Sequence, residues 1–236
     1  MSTIINERLA SVKRIIAVSG GKGGVGKSTV AAGLALILSR KGYRAGLLDL
    51  DFYGPSTHLI LGMKDLFPEE DKGLIPPELH GIRFMSIVYF IRDESTPFRG
   101  IDISNAITEL LVITRWGDLD ILVIDMPPGV GDTTLDLLRH IKRAEFLLIT
   151  TPSLPARETM ERILKLLKGV NSPILGIIEN MKLSQKPERI PDKVSGIPVL
   201  GSIRFDRNLE SALGDPERLM QTSFMRDLKK VILSQF

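Results

Sequence analysis

The stretch SGGKGGVGKST, Ser19 to Thr29, decides how the rest of this chain is read. Gly21-Lys22-Gly23-Gly24-Val25-Gly26-Lys27-Ser28 fits the pattern of a glycine, any four residues, then Gly-Lys-Ser/Thr. It follows the apolar run RIIAVS (14 to 19) and opens a helical pattern over 28 to 41. In that context the glycines let the backbone curl so that successive N–H groups point into one concavity. There they and the positive end of the helix hold phosphate oxygens. Lys27 is placed to reach the β- and γ-phosphates and Ser28 to ligate Mg²⁺. The expected nucleotide-binding loop is therefore Gly21, Lys22, Gly23, Gly24, Val25, Gly26, Lys27, Ser28 and Thr29. A glycine-rich turn that only packs a helix on a strand has no use for Lys-Ser at those positions. Lys22 is a second lysine that such a loop does not need.

Outward from this loop, short apolar runs recur: RAGLLDL (44 to 50), IRFMSIVYF (82 to 90), LDILVID (119 to 125), EFLLITT (145 to 151), PILGIIEN (173 to 180) and IPVLGSI (197 to 203). None alternates with polar residues, which is the pattern of strands buried on both faces. Helical patterns over 102 to 115, 133 to 143, 155 to 168 and 218 to 235 lie among them. Strand and helix in alternation predict an α/β fold, a mostly parallel sheet with helices on both faces. Two stretches rich in Pro, Gly and charge, 63 to 81 and 181 to 196, read as surface loops. No composition shift divides the chain, so residues 1–236 are taken as one domain.

Lys+Arg 31 against Asp+Glu 28 leaves a net charge of +3, with no block of like charges. That mild excess demands neither nucleic acid nor membrane, and neither partner is expected. The chain has no cysteine, which excludes disulfides, thiolate zinc sites and cysteine-held iron–sulfur clusters for these residues. The N-terminal MSTIINERLASVKR has no apolar core of a signal peptide, and no run reaches 18 uninterrupted apolar residues. A cytoplasmic chain is the expectation.

Two acidic elements join the loop. LDILVIDMPPGVGD carries a buried strand to Asp125, at the sheet edge where open α/β folds bind ligands, and a carboxylate there can hold Mg²⁺ through water. GLLDLDFYGPS ends a strand at Asp49 and Asp51 on the same edge. Asp49 and Asp132 have helix N-capping as the alternative role.

With these residues in view, the chain resembles the deviant phosphate-loop ATPases of the MinD/Mrp class, which includes ParA and the nitrogenase iron protein. Within it the chain resembles the Mrp/NBP35 family, through VSGGKGGVGKST, DLDFYGPS, HGIRFMSI, RWGDLDILVIDMPPGVGDTTL, TTPSLPARE, IIENM and PVLGSIRFD. The resemblance implies Mg²⁺-dependent ATP hydrolysis in a homodimer joined through the nucleotide face, with Lys22 reaching the partner copy's phosphates. It implies that Asp51, in switch I, orients the attacking water, and that Asp125 to Asp132 form switch II. Ser28, Asp51 and Asp125 would serve Mg²⁺, partly through water. Asn180 matches the adenine-reading Asn, and Arg204, Phe205 and Asp206 should border the base, although the family usually carries Pro at 204.

Cluster-carrying members place a Cys-x-x-Cys pair shortly after the segment matching ENM, where this chain reads MKLSQKPERIPDKV. No iron–sulfur cluster is therefore expected on this chain. Three functions follow from the resemblance. The first is metallocentre assembly with a nickel metallochaperone, as in nickel–iron hydrogenase maturation. The second is iron–sulfur cluster assembly through a partner's cysteines, and the third a MinD/ParA-like positioning switch.

His58, His80 and His140 are scattered and read as solvated or core side chains, with His58 a candidate surface metal or partner contact. Trp116 is expected to seat the entry to the switch II strand. SFMRDLKKVILSQF places Phe224, Met225, Leu228, Val231, Ile232 and Phe236 at helical spacing. Packing against the sheet is the expected use of that face, and membrane binding the alternative.

Overall fold

Each of the seven apolar runs forms a strand, because a strand apolar on both faces is stable only between two layers of helix. In chain order they are β1 (Val12–Gly20), β2 (Ala45–Asp49), β6 (Ile82–Ser86), β7 (Leu119–Asp125), β8 (Glu145–Thr150), β9 (Ile174–Lys182) and β11 (Ile197–Arg204). Short strands β3 (Glu69–Glu70), β4 (Leu74–Ile75), β5 (Glu78–Leu79) and β10 (Lys193–Val194) complete the set among the described residues. The computed structural model describes residues 2–52, 54–90, 100–129, 131–183 and 193–236.

The main sheet runs β10-β11-β9-β8-β1-β7-β2-β6-β5, parallel except at its two short edges. Strand order reverses at β1, which pairs with β7 on one side and β8 on the other. The loop after β1 therefore opens at the topological switch point, the crevice where parallel sheets bind ligands.

Helices α2 (Lys27–Arg40), α7 (Pro216–Gln221) and α8 (Ser223–Ile232) cover one face. The other carries α1 (Ser2–Arg8), α4 (Gly100–Ile113), α5 (Asp132–His140) and α6 (Leu154–Gly169). The one-turn α3 (Thr57–Ile60) follows β2. Helix α1, which no sequence pattern announced, buries Ile5 and, just past its end, Leu9.

Four expectations change in detail. The strand predicted over 82–90 stops at Ser86, whose hydroxyl accepts from the Val88 N–H and turns the chain into a 3₁₀ turn, Ile87–Tyr89. The stretch 63–81 is not all loop, since β3 and β4 pair as a hairpin and β5 extends the sheet past β6. The loop predicted over 181–196 is shorter than expected, since β9 runs on to Lys182 and Lys193–Val194 form β10 against β11; residues 184–192 lie outside the described residues. The C-terminal helix divides at Thr222, whose hydroxyl caps α8 by accepting from the Met225 N–H. Trp116 is buried at the entry to β7, where Gly46 of β2 leaves room for its ring and its carbonyl accepts from Arg83.

The apolar stripe of α8 faces the protein itself: Phe224, Met225, Leu228, Val231 and Ile232 are buried in the core shared with α2. Gly33 of α2 admits this approach, since a Cβ there would stand 2.9 Å from both the Leu228 and Met225 side chains. Leu228→Ala should therefore lower the unfolding free energy by about 2–5 kcal/mol in urea titration. A stability within ~0.5 kcal/mol of wild type would mean that α8 is a peripheral helix.

Candidate nucleotide site

The loop Gly21–Ser28 leaves β1 and turns into α2 with Gly26 as the N-cap residue, at φ +82°. Only glycine holds that left-handed conformation without strain. Gly21 serves packing: a Cβ on it would lie 2.7 Å from Thr159 and 2.8 Å from the backbone of Met160, so it lets α6 approach the loop. Gly23 and Gly24 are exposed, with open space around them. Together with Lys22 they border a cleft of ≈490 Å³, closed by Thr151, Pro152 and Ser153 after β8 and by Met181, Lys182 and Leu183 at the end of β9.

Beneath the loop, Lys27 is only 6% exposed and its ammonium lies 2.6 Å from Asp125 Oδ1, 3.6 Å from Asp51 Oδ2 and 3.2 Å from Ser28 Oγ. The strand ends bring these groups together, since Asp49 of β2 and Asp125 of β7 are register partners. Asp125 is fully buried. Burial pushes its carboxyl up to about 7, while the charge of Lys27 pulls it back down. Burial also raises Asp49, against the hydrogen bonds it accepts.

Asp49 is not a helix N-cap residue, a position that Ser56 holds for α3, but it binds the start of that helix from β2. Its carboxylate accepts from the N–H groups of Asp51, Ser56 and Thr57 and from the Thr57 hydroxyl at 2.6 Å, which holds the start of α3 and the bend after β2. Asp51 Oδ1 accepts from the Gly54 N–H, leaving its other oxygen toward Lys27. The N–H of Gly129 donates to the Gly20 carbonyl, so the turn after β7 is tied to the last residue of β1, just ahead of the loop. The side chain of Asp132, at the start of α5, lies outside the described residues.

Hard oxygen donors suit Mg²⁺. The observation that bears on it here is Asp125 Oδ2, buried without a hydrogen-bond partner while its other oxygen holds Lys27. No group of three or more His, Asp or Glu side chains placed to hold a metal occurs among the described residues.

On the expected base side, Asn180 is buried and donates from Nδ2 to the Val25 carbonyl at 2.9 Å. Arg204 and Asp206, in the segment expected to border the base, direct their charged groups to α8. The Arg204 guanidinium holds Asp227 through two bonds of 2.8 Å and keeps that carboxyl below its ordinary range. Asp206 accepts from the Ser223 and Phe224 N–H groups at the helix N-terminus. Phe205 is left half-exposed between them, its N–H bonded to the carbonyl of Lys182 on the rim of the cleft. This arrangement follows from an acceptor at 227 and a free helix N-terminus, neither visible as a motif.

The histidines stay apart. His80 contacts the Leu61 carbonyl, and His140 contacts the Thr108 hydroxyl. Burial pushes the His58 imidazole down, and Asp49 raises it. No helix among the described residues is long and apolar enough to cross a membrane.

Comparison with known proteins gives the site its context. A family model described as ParA, NUBPL iron-transfer P-loop NTPase, matches residues 11–232. The iron–sulfur cluster carrier protein of Aquifex aeolicus is 43% identical over 229 residues, 89% of this chain and 63% of that protein. The carrier of Pseudomonas fragi is 46% identical over 178 residues, 73% of this chain and 62% of that protein. The chain thus spans about three fifths of the length of these relatives. Among solved structures, a nucleotide-binding protein from Archaeoglobus fulgidus in complex with ADP aligns with a TM-score of 0.75 at 31% identity, covering 93% of this chain and 92% of that one. MinD of Pyrococcus horikoshii, complexed with Mg-ADP, aligns with a TM-score of 0.69 at 18% identity, covering 93% and 94%, a likeness of fold. The curated relatives are iron–sulfur carriers by name, which is the second of the three functions set out above and not the first.

A carboxyl raised by burial binds its proton more tightly in the folded state. Between about pH 4 and pH 7 the folded protein therefore holds a proton on Asp125 that the unfolded chain has released, and stability falls as pH rises. Urea unfolding without metal or nucleotide should show this decline in wild type and a flatter profile in Asp125→Asn. Parallel profiles would mean that Asp125 does not titrate in this window.

Proposed function

The chain belongs to the ParA family of NUBPL-type iron-transfer P-loop NTPases, and from that premise we propose that it binds and hydrolyses Mg-ATP to drive iron–sulfur cluster assembly. The observation that carries the nucleotide part is the buried Lys27–Asp125 pair, 2.6 Å apart beneath an open glycine loop. Lys27 moves from Asp125 to the phosphates, and the N–H groups of the loop cradle them. Ser28, Asp125 and Asp51 are the residues that would hold Mg²⁺. When bound, the ion draws charge from the phosphate oxygens. Asp51 orients the attacking water.

Lys22 is exposed on the border of the cleft. In a homodimer through the nucleotide face it is free to neutralise charge in the partner copy's site. The cleft-side residues Leu154 and Leu183 are also strongly exposed, at 74% and 80%, which supports burial by a second copy.

The relatives' name supports cluster assembly, and the composition sets its form. With no cysteine in these residues, the cluster resides on a partner's thiolates and this chain supplies the nucleotide-driven step. Assembly of a nickel centre uses the same site with another partner, so the choice of partner separates the two.

In the test, a cluster-loaded scaffold, an apo-acceptor and the chain are mixed anaerobically, with and without ATP. The proposal expects ATP-dependent acceleration of transfer that Lys27→Ala abolishes through weakened ATP binding. Lys22→Ala should still bind ATP but hydrolyse it more slowly, by on the order of 10³-fold if it acts as an arginine-finger equivalent. Transfer indifferent to ATP, together with an ATP-sensitive complex with a nickel metallochaperone, would replace the iron–sulfur reading with the nickel one.

A further inference from the structure

We infer that Asn180 is a positioning residue for the phosphate loop, fixing the orientation of the Val25–Gly26 peptide and so coupling the base side of the site to the phosphate side. This rests on the nucleotide reading above.

Asn180 lies in β9, 2% exposed, and reaches a residue 155 positions away in sequence: its Nδ2 donates to the Val25 carbonyl at 2.9 Å. A carbonyl can only accept, so the group facing it is the amide nitrogen. In a trans peptide the C=O and the following N–H point in opposite directions. Holding the Val25 carbonyl toward Asn180 therefore turns the Gly26 N–H away from it, at the mouth of α2, where N–H groups bind anions.

Nothing intrinsic to residue 26 keeps that peptide in place. Glycine at φ +82° tolerates alternative backbone conformations, including a flipped peptide that would present the carbonyl oxygen to the anion. Such a flip would exchange an attractive dipole for a repulsive one. The asparagine opposes it sterically as well, because it lies against the loop closely enough that a Cβ on Gly26 would be 2.3 Å from Nδ2.

The amide is itself held rigidly. Its strand is paired with β8 and β11, and the preceding residue, Glu179, faces Arg157 at 3.4 Å. One N–H of the amide is used by Val25, leaving the second N–H and the carbonyl oxygen for a base. A single side chain thus touches both ends of the site, and a base that engages it firms the loop that receives the phosphates.

The two ends can be separated with a ligand that has phosphates and no base. Mg-tripolyphosphate and Mg-ATP are titrated calorimetrically into wild type, Asn180→Ala and Asn180→Leu, with melting curves recorded for each. Leucine approximates the shape of the amide without donor, acceptor or charge, and serves if the alanine variant does not fold. The expected result is a loss of about tenfold in tripolyphosphate affinity for either variant, the equivalent of one hydrogen bond. Tripolyphosphate binding equal to wild type, with loss confined to ATP or with only a lowered melting temperature, overturns the inference and leaves Asn180 a base contact or a packing residue. Wild-type protein that binds neither ligand overturns the nucleotide reading itself.

Discussion

The Lys27–Asp125 contact is the interaction on which the rest of the site depends. An ammonium and a carboxylate removed from water lose more hydration than their attraction returns unless every remaining donor and acceptor is satisfied. Here that condition is not met, since Asp125 Oδ2 has no partner and Asp49 and Asp51 add carboxylates to the one lysine. Three acids around one base make a poor arrangement for stability and a suitable one for a ligand that brings both a divalent cation and phosphate anions. On the proposed reading, phosphate would take the lysine and the cation would take Asp125 and Asp51, while Asp49 keeps the hydrogen bonds it already accepts.

The fold sets this imbalance at one point. β1 lies where the sheet reverses its order, so the loop after it, the ends of β2 and β7 and the turns after β8 and β9 all open at one edge. The helices then tie that edge to the body of the protein. α2 starts at Lys27 and packs through Gly33 on α8, while α8 is fastened at its first turn by Asp206 and through Asp227 by Arg204. The segment beyond β11 is therefore a brace between the sheet edge and the C-terminal helix, with the Phe205 ring left half-exposed.

Much of this was legible in the sequence, for identifiable reasons. Periodicity located every long strand, because burial on both faces forces an unbroken apolar run, and LDILVID gave its ends to the residue. That Asp51 and Asp125 would meet Lys27 was legible because a motif with fixed spacing sits beside two strands that end on the same edge. What escaped depends on partners distant in sequence. Gly21 looks like a phosphate-loop glycine and serves the approach of α6. The ties of Arg204 and Asp206 to α8 were not readable, since neither Asp227 nor the start of that helix shows as a motif. Thr222 divides the last helix because a hydroxyl can cap within an otherwise continuous apolar stripe. Helix α1 was missed because a seven-residue segment carries too few turns to show a period.

The most direct measurement is a crystal structure of the full chain grown with Mg²⁺ and a non-hydrolysable ATP analogue. The account predicts that the Lys27 ammonium has left Asp125 for the phosphate oxygens and that Asp125 Oδ2 has gained a water of the metal as its partner. A nucleotide bound elsewhere, or bound at the loop with the 2.6 Å contact between Lys27 and Asp125 intact, would contradict it.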